Sequence, residues 1–162
     1  MKSITAPTET IDDILDIFIS DKMQNGVLLK INANKSTLTT LESQFILKVK
    51  DNTLYQIPKG IPKAISLNKD NLIKFYEYRL LERKNGRKFY DKLILSSPQN
   101  ICPYCTIKIV KTIDHFLPKS EFPTLSVVPT NLIPCCRDCN TEKKNSYPTD
   151  SDNQTFHPYF DN

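Results

Sequence analysis

The sequence predicts an α+β protein: a helical N-terminal region followed by a small zinc-stabilised β-β-α module. Three observations carry this. Apolar residues recur at helical spacing as far as Ile94, prolines become frequent from Ser97 onward as that periodicity fades, and two Cys-x-x-C pairs fall in the second part. A boundary near residue 97 follows, with residues 1–96 a mostly helical region and residues 97–162 a second domain. With 162 residues, 39% of them hydrophobic, the chain can bury a modest core, and no apolar run approaches the ~20 residues that span a bilayer.

The first helix is expected from Thr10, because Ile11, Ile14, Leu15 and Phe18 share one face, Asp12, Asp13 and Asp16 lie toward its N-terminal end, and Gly26 follows. Leu38, Leu41, Phe45 and Val49 repeat the pattern after Ser36, a natural N-cap, and this second helix should end near Lys50, before Pro58 and Pro62. Leu72, Phe75, Tyr76, Arg79 and Leu80 predict a third helix, and Phe89, Tyr90, Leu93 and Ile94 continue the period after Gly86. In the second part, Val110 to Asp114 reads as a strand, Asn131 to Ile133 as a second short element, and Arg137 to Lys144 as a helix with Asn140 and Lys144 one turn apart.

Cys102-Pro-Tyr-Cys105 and Cys136-Arg-Asp-Cys139 have the spacing of four thiolates around one tetrahedral zinc. A redox reading of either pair would call for a βαβ setting and would leave the second pair without a purpose. Cys135 is expected as a buried spare thiol, since its use in place of Cys136 would break the two-residue spacing to Cys139. A module this short buries little apolar area, so a metal that closes it has a structural purpose. Only three glycines are present, which excludes a glycine-rich phosphate-cradling loop.

Charge is uneven. Residues 1–96 hold 16 basic and 11 acidic side chains, residues 97–162 hold 6 and 7. The excess concentrates between residues 72 and 92, where Lys74, Arg79, Arg83, Lys84, Arg87, Lys88 and Lys92 face only Glu77, Glu82 and Asp91. Such a strip is either a solvated helix face or a surface that meets phosphates; Arg83, Arg87 and Lys88 are its candidate nucleic-acid contacts.

Between the cysteine pairs run Ile113-Asp114-His115-Phe116-Leu117-Pro118-Lys119-Ser120 and Asn131-Leu132-Ile133-Pro134, and Asn140 follows Cys139. Across roughly residues 100–145 this order resembles the HNH endonuclease family in its H-N-N form, with a ββα-metal fold and a four-cysteine zinc. The resemblance implies that His115 is the general base, that Asp114 and Asn140 hold a catalytic divalent ion, and that Asn131 pins the loop around the base. An ion on such oxygen donors would be magnesium or manganese, distinct from the zinc. Imidazole titrates near neutrality, as a base toward water requires. Adjacent strand residues face opposite ways, so Asp114 and His115 serve one site only if the strand ends or bends there. Lys119, Lys143 and Lys144 are candidate phosphate contacts, Lys144 foremost because it follows Asn140 by one turn.

The expectation is therefore a metal-dependent endonuclease that hydrolyses phosphodiester bonds in double-stranded DNA, with backbone and shape contacts outweighing base readout. His157-Pro158-Tyr159-Phe160 is similar to a segment found in HNH proteins of bacterial antiphage systems, which implies an effector of antiviral defence with an ATPase as partner subunit. His157 is expected to pack and hydrogen-bond, with a supporting or ligand role as the alternative. A catalytically silent zinc-binding interaction module and an RNA-directed HNH nuclease are the competing functions. The acidic first twenty residues have no secretory-signal pattern, so a cytoplasmic protein without a membrane partner is expected.

Overall fold

A computed structural model describes residues 1–21 and 25–161. Helix α1 (Ile11–Ser20) opens on a capping box in which Thr10 and Asp13 satisfy each other's backbone amides. Its first amide, on Ile11, donates to the buried Glu42 carboxylate at 3.0 and 3.1 Å. Ile11, Ile14, Leu15 and Phe18 are fully buried, as their spacing predicts.

Helix α2 spans Asn25–Lys50, longer than expected. Gly26 does not stop a helix but lies in the first turn of this one, and Ser36 is not an N-cap but sits mid-helix, its carbonyl accepting the Thr40 hydroxyl. The reason is the buried stripe Ile31, Asn34, Leu38, Glu42, Phe45 and Val49, whose two polar members hide its period from an apolar count. Asn34 is satisfied by Ser66, donating to its hydroxyl at 2.8 Å and accepting its amide at 2.9 Å.

The expected third helix is two pieces. Residues Lys69–Lys74 form α3, capped by Asn68, and Phe75–Leu80 form a π-helix, with the Leu81 amide bonded to the Tyr76 carbonyl. Helix α4 (Lys84–Ile94) packs against that segment through Gly86, where a Cβ would lie 2.0 Å from the Arg79 carbonyl oxygen.

Strand β1 is Thr112–His115 and β2 is Leu132–Cys135, each displaced C-terminally from the expected span, β2 because Asn131 closes a 3-10 turn. They pair antiparallel, with Asp114 opposite Ile133 and His115 opposite Leu132. Helix α5 (Arg137–Lys143) follows, and Lys144 leaves it at φ 50°. The architecture is thus α+β, with the helical part first and the β-β-α module after it. One continuous apolar core includes Phe18, Leu72, Phe75 and Leu93 from the helices and Ile113, Phe116, Leu117 and Leu132 from the module, so the change of texture near residue 97 does not interrupt the packing. Among the described residues no helix is long and apolar enough to cross a membrane.

Candidate active site and metal centre

The ligand atoms of Cys102, Cys105, Cys136 and Cys139 lie within 4.8 Å of one another. Zinc–thiolate bonds of about 2.3 Å place tetrahedral sulfurs about 3.8 Å apart, and the Cys105 and Cys136 sulfurs are 3.9 Å apart. Each pair folds as a tight turn in which a backbone amide points at the first or second sulfur: Lys108 N–H donates to Cys105 at 3.4 Å and Cys139 N–H to Cys136 at 3.5 Å. The Lys108 amide holds the Cys105 thiol down to about 7, toward the thiolate a metal takes. The four sulfurs fit zinc. Cys135 is buried in β2 beside the cluster but outside it, as its spacing predicts.

Strand β1 ends at His115, and this lets neighbours of opposite facing border one cleft of about 400 Å³, together with Lys119, Asn140 and Lys144. The imidazole is 9% exposed. Its Nε2 lies 2.9 Å from the Ser126 carbonyl oxygen. A carbonyl only accepts, so the neutral ring carries its proton on Nε2 and its lone pair on Nδ1. Burial lowers the His115 pKa to about 3, opposed by the Ser126 carbonyl and reinforced by Lys119 and Lys143. The ring is neutral at physiological pH.

Asn131 is fully buried and accounts for the loop around this ring. Its side-chain oxygen accepts the Leu117 amide at 2.8 Å, and its amide donates to the carbonyls of Leu117 and Leu125 at 3.0 and 3.1 Å. Leu125 adjoins Ser126, so one side chain ties the segment after His115 to the segment whose carbonyl accepts the hydrogen bond from its ring.

Asp114 is held by the Tyr104 hydroxyl at 2.8 Å and by the Lys143 ammonium at 3.1 and 3.2 Å. Burial pushes its carboxyl up, against the pull of Lys143 and Tyr104. Lys143 also donates to the His115 carbonyl at 2.8 Å, so the structure turns this candidate phosphate contact inward, onto β1. Lys144 and Asn140 both line the cleft, although Lys144 lies just past the end of α5 and not within the helix as expected. Asp114 and Asn140 both line that cleft, and the Asp114 carboxylate oxygens are engaged by Tyr104 and Lys143; a carboxylate and an amide are oxygen donors of the kind that suit magnesium or manganese. Lys143 would share Asp114 with such an ion.

Of the other candidate cations, Lys119 lines the cleft, and Arg83, Arg87 and Lys88 do not. Lys119 sits 5.0 Å from the Tyr76 ring centroid and pairs with Glu77 at 3.2 Å. Arg83 reaches the Tyr78 hydroxyl, Arg87 covers Tyr90 and pairs with Asp91, and Lys88 is exposed on α4. His157 is buried among Phe45, Phe116, Tyr159 and Phe160, its Nδ1 accepting the Tyr159 amide, so the packing role expected of it is where the structure puts it. A larger, apolar cavity of about 550 Å³, between Tyr104, Phe116, Tyr147 and Phe156, contains neither His115 nor Asn140.

Sequence reasoning did not single out Tyr76, Tyr104 or Ser126. Tyr104 stands between the first two cysteines, which ties it to the module. Tyr76 and Ser126 have no local signal, because each meets His115 only through tertiary packing.

Residues 102–146 match the family described as HNH endonuclease. The chain is 34% identical over 170 aligned positions to protein ea31 of Escherichia phage lambda, an alignment that covers 99% of this chain and 57% of that protein. It is 33% identical over 63 positions to the Septu protein PtuB of Bacillus thuringiensis, covering 36% of this chain and 24% of that one. The chain therefore spans little more than half the length of the phage relative and about a quarter of PtuB. No solved structure matches it. With a β-β-α frame beside four clustered sulfurs, residues 102–146 are similar to an HNH endonuclease domain.

Proposed function

We propose that this protein is a metal-dependent endonuclease that hydrolyses phosphodiester bonds in double-stranded DNA, with His115 as the general base. The observation that carries the reading is the bond between His115 Nε2 and the Ser126 carbonyl, which leaves Nδ1 as the basic nitrogen of a ring bordering a polar cleft. Nδ1 takes a proton from water as its oxygen attacks phosphorus; the new P–O bond forms in line with the P–O3′ bond that breaks. A phosphodiester anion seated near Lys119 offsets the positive charge that helps hold the imidazole pKa low, and so raises its basicity when substrate arrives. Asn131 keeps the carbonyl and the ring in register. Asp114 and Asn140 are the side chains that would hold a magnesium or manganese ion, which when bound supplies positive charge beside the leaving oxygen. Lys144 and Lys119 meet phosphate oxygens, and Arg83, Arg87 and Lys88 extend the contact along the backbone, so sequence preference is weak.

Plasmid DNA incubated with magnesium or manganese tests this. Cutting is expected from the zinc-loaded protein and loss of cutting from His115→Ala; equal cutting by the variant rejects the assignment. A parallel digestion of DNA and tRNA decides between the DNA and RNA readings.

The PtuB match supports the further reading that the chain is an effector of antiviral defence, and to this we add the proposal of an ATPase partner subunit. Cleavage that stays low until an ATPase partner and ATP are added would bear this out, and full cleavage by the isolated chain would count against it.

A further inference from the structure

We infer that the helical N-terminal part completes the active site, with Tyr76 on the π-helix and Ser126, anchored to α3, acting as positioning residues for His115 and Lys119. The inference rests on His115 being the base. Two contacts converge on His115, and a third brings Lys119 to the same helical segment. The Tyr76 and His115 rings lie 4.3 Å apart between centroids and cross at 67°, so the tyrosine covers one flank of the imidazole. The Ser126 carbonyl accepts the hydrogen bond from Nε2–H, and the Ser126 hydroxyl donates at 2.7 Å to the Leu72 carbonyl, one turn before Tyr76 on the same helical segment. Lys119 lies over Tyr76 at 5.0 Å and pairs with the adjacent Glu77.

A single stretch, Leu72 to Glu77, thus reaches the orienting carbonyl, the ring and the nearest cleft cation. The stretch passes from α-helix into a π-helix at Phe75. Widened turns of this kind are rare because their hydrogen-bond geometry is poor, and they concentrate at functional sites. Gly86 holds α4 against the far side, where no side chain would fit beside the Arg79 carbonyl. The ring of Tyr76 is what the geometry uses. Its hydroxyl makes no hydrogen bond among the described residues, so Tyr76→Phe, which keeps the ring against His115, is the conservative variant expected to rescue what Tyr76→Leu loses. Misplacement of a reacting group by about an ångström costs up to ~100-fold in rate.

The test compares Tyr76→Phe, Tyr76→Leu and Ser126→Ala with wild type in the full-length, zinc-loaded chain. Tyr76→Leu is expected to lower kcat by roughly 10- to 100-fold with KM changed by less than about threefold, and Ser126→Ala by roughly 3- to 10-fold. Imidazole NMR gives the second readout. The chain has two histidines, so His115→Ala assigns the pair. Tyr76→Leu should move the His115 ring C–H resonances as the tyrosine ring current is lost, and Ser126→Ala the Nε2–H resonance, while those of His157 stay in place. Wild-type kcat in Tyr76→Leu, or unmoved His115 resonances in both variants, overturns the proposal. If Tyr76→Leu does not fold, Ser126→Ala decides alone, an unchanged kcat or Nε2–H signal counting against it. Failure of the base assignment has a separate signature, which is cutting retained in His115→Ala, whereas the NMR arms report on positioning whatever the activity.

Discussion

Acid should unfold this protein through its histidines, and His157→Phe should remove about half of that sensitivity. Both imidazoles are buried, and burial lowers each pKa to about 3. The unfolded chain titrates its histidines near 6.5. Because the folded value is the lower one, protonation favours the unfolded chain. Each histidine therefore leaves stability intact above about pH 6.5 and removes it progressively as the pH falls toward about 3. At about pH 5 the linkage amounts to about 2 kcal/mol per histidine, against almost nothing at about pH 7.5. His157 is the cleaner one to remove, since its ring sits among Phe116, Phe160, Tyr159 and Phe45, a cage that accepts phenylalanine, and its Nδ1 holds a long, 3.3 Å bond from the Tyr159 amide. At neutral pH the variant should lie within about 1 kcal/mol of wild type, the worth of one hydrogen bond. Urea unfolding of both zinc-loaded proteins between about pH 7.5 and pH 5 reads the difference, and acid effects on the zinc cluster cancel between them. The variant should gain about 2 kcal/mol on wild type across that range. Parallel pH profiles would refute the reasoning, because they would mean that His157 does not stay neutral in the fold.

Cys136→Ser should lose zinc and with it the fold of the module, while Cys135→Ser keeps the metal; zinc released into a colorimetric chelator measures both, and equal release contradicts the ligand set. Gly86→Ala drives a methyl into the Arg79 carbonyl and should cost about 3 kcal/mol in urea unfolding, a penalty that a change under 1 kcal/mol would exclude. Lys143→Ala strands the buried Asp114 with only Tyr104 and should destabilise by about 3 kcal/mol. Because Lys143 and a divalent ion would compete for that carboxylate, magnesium should raise the melting temperature of Lys143→Ala more than that of wild type, and an equal rise would argue against Asp114 as a ligand.

Much of the module was legible because its signals are short-ranged. Two cysteines three positions apart fold into one turn whatever surrounds them, and the thirty-residue gap between pairs leaves room for a strand pair and little else. Asn131 and Asn140 were named from their order, and the structure brings both to the His115 loop and its cleft. Helix α2 was misjudged at its start because Asn34 and Glu42 are core positions satisfied by Ser66 and the α1 N-terminus, partners that no local period reveals. Lys143 was expected to face phosphate and instead lies on Asp114, since its direction depends on how α5 packs against β1.

The sequence by itself determined the metal quartet and the order of the β-β-α frame, because those follow from residue chemistry at fixed spacing along one segment. Only the tertiary structure decided which face His115 presents and what holds it there. Tyr76 and the Leu72 carbonyl are some forty to fifty positions from the groups they meet, and packing of the helices against the module, with no pattern in the chain to announce it, brings them within contact.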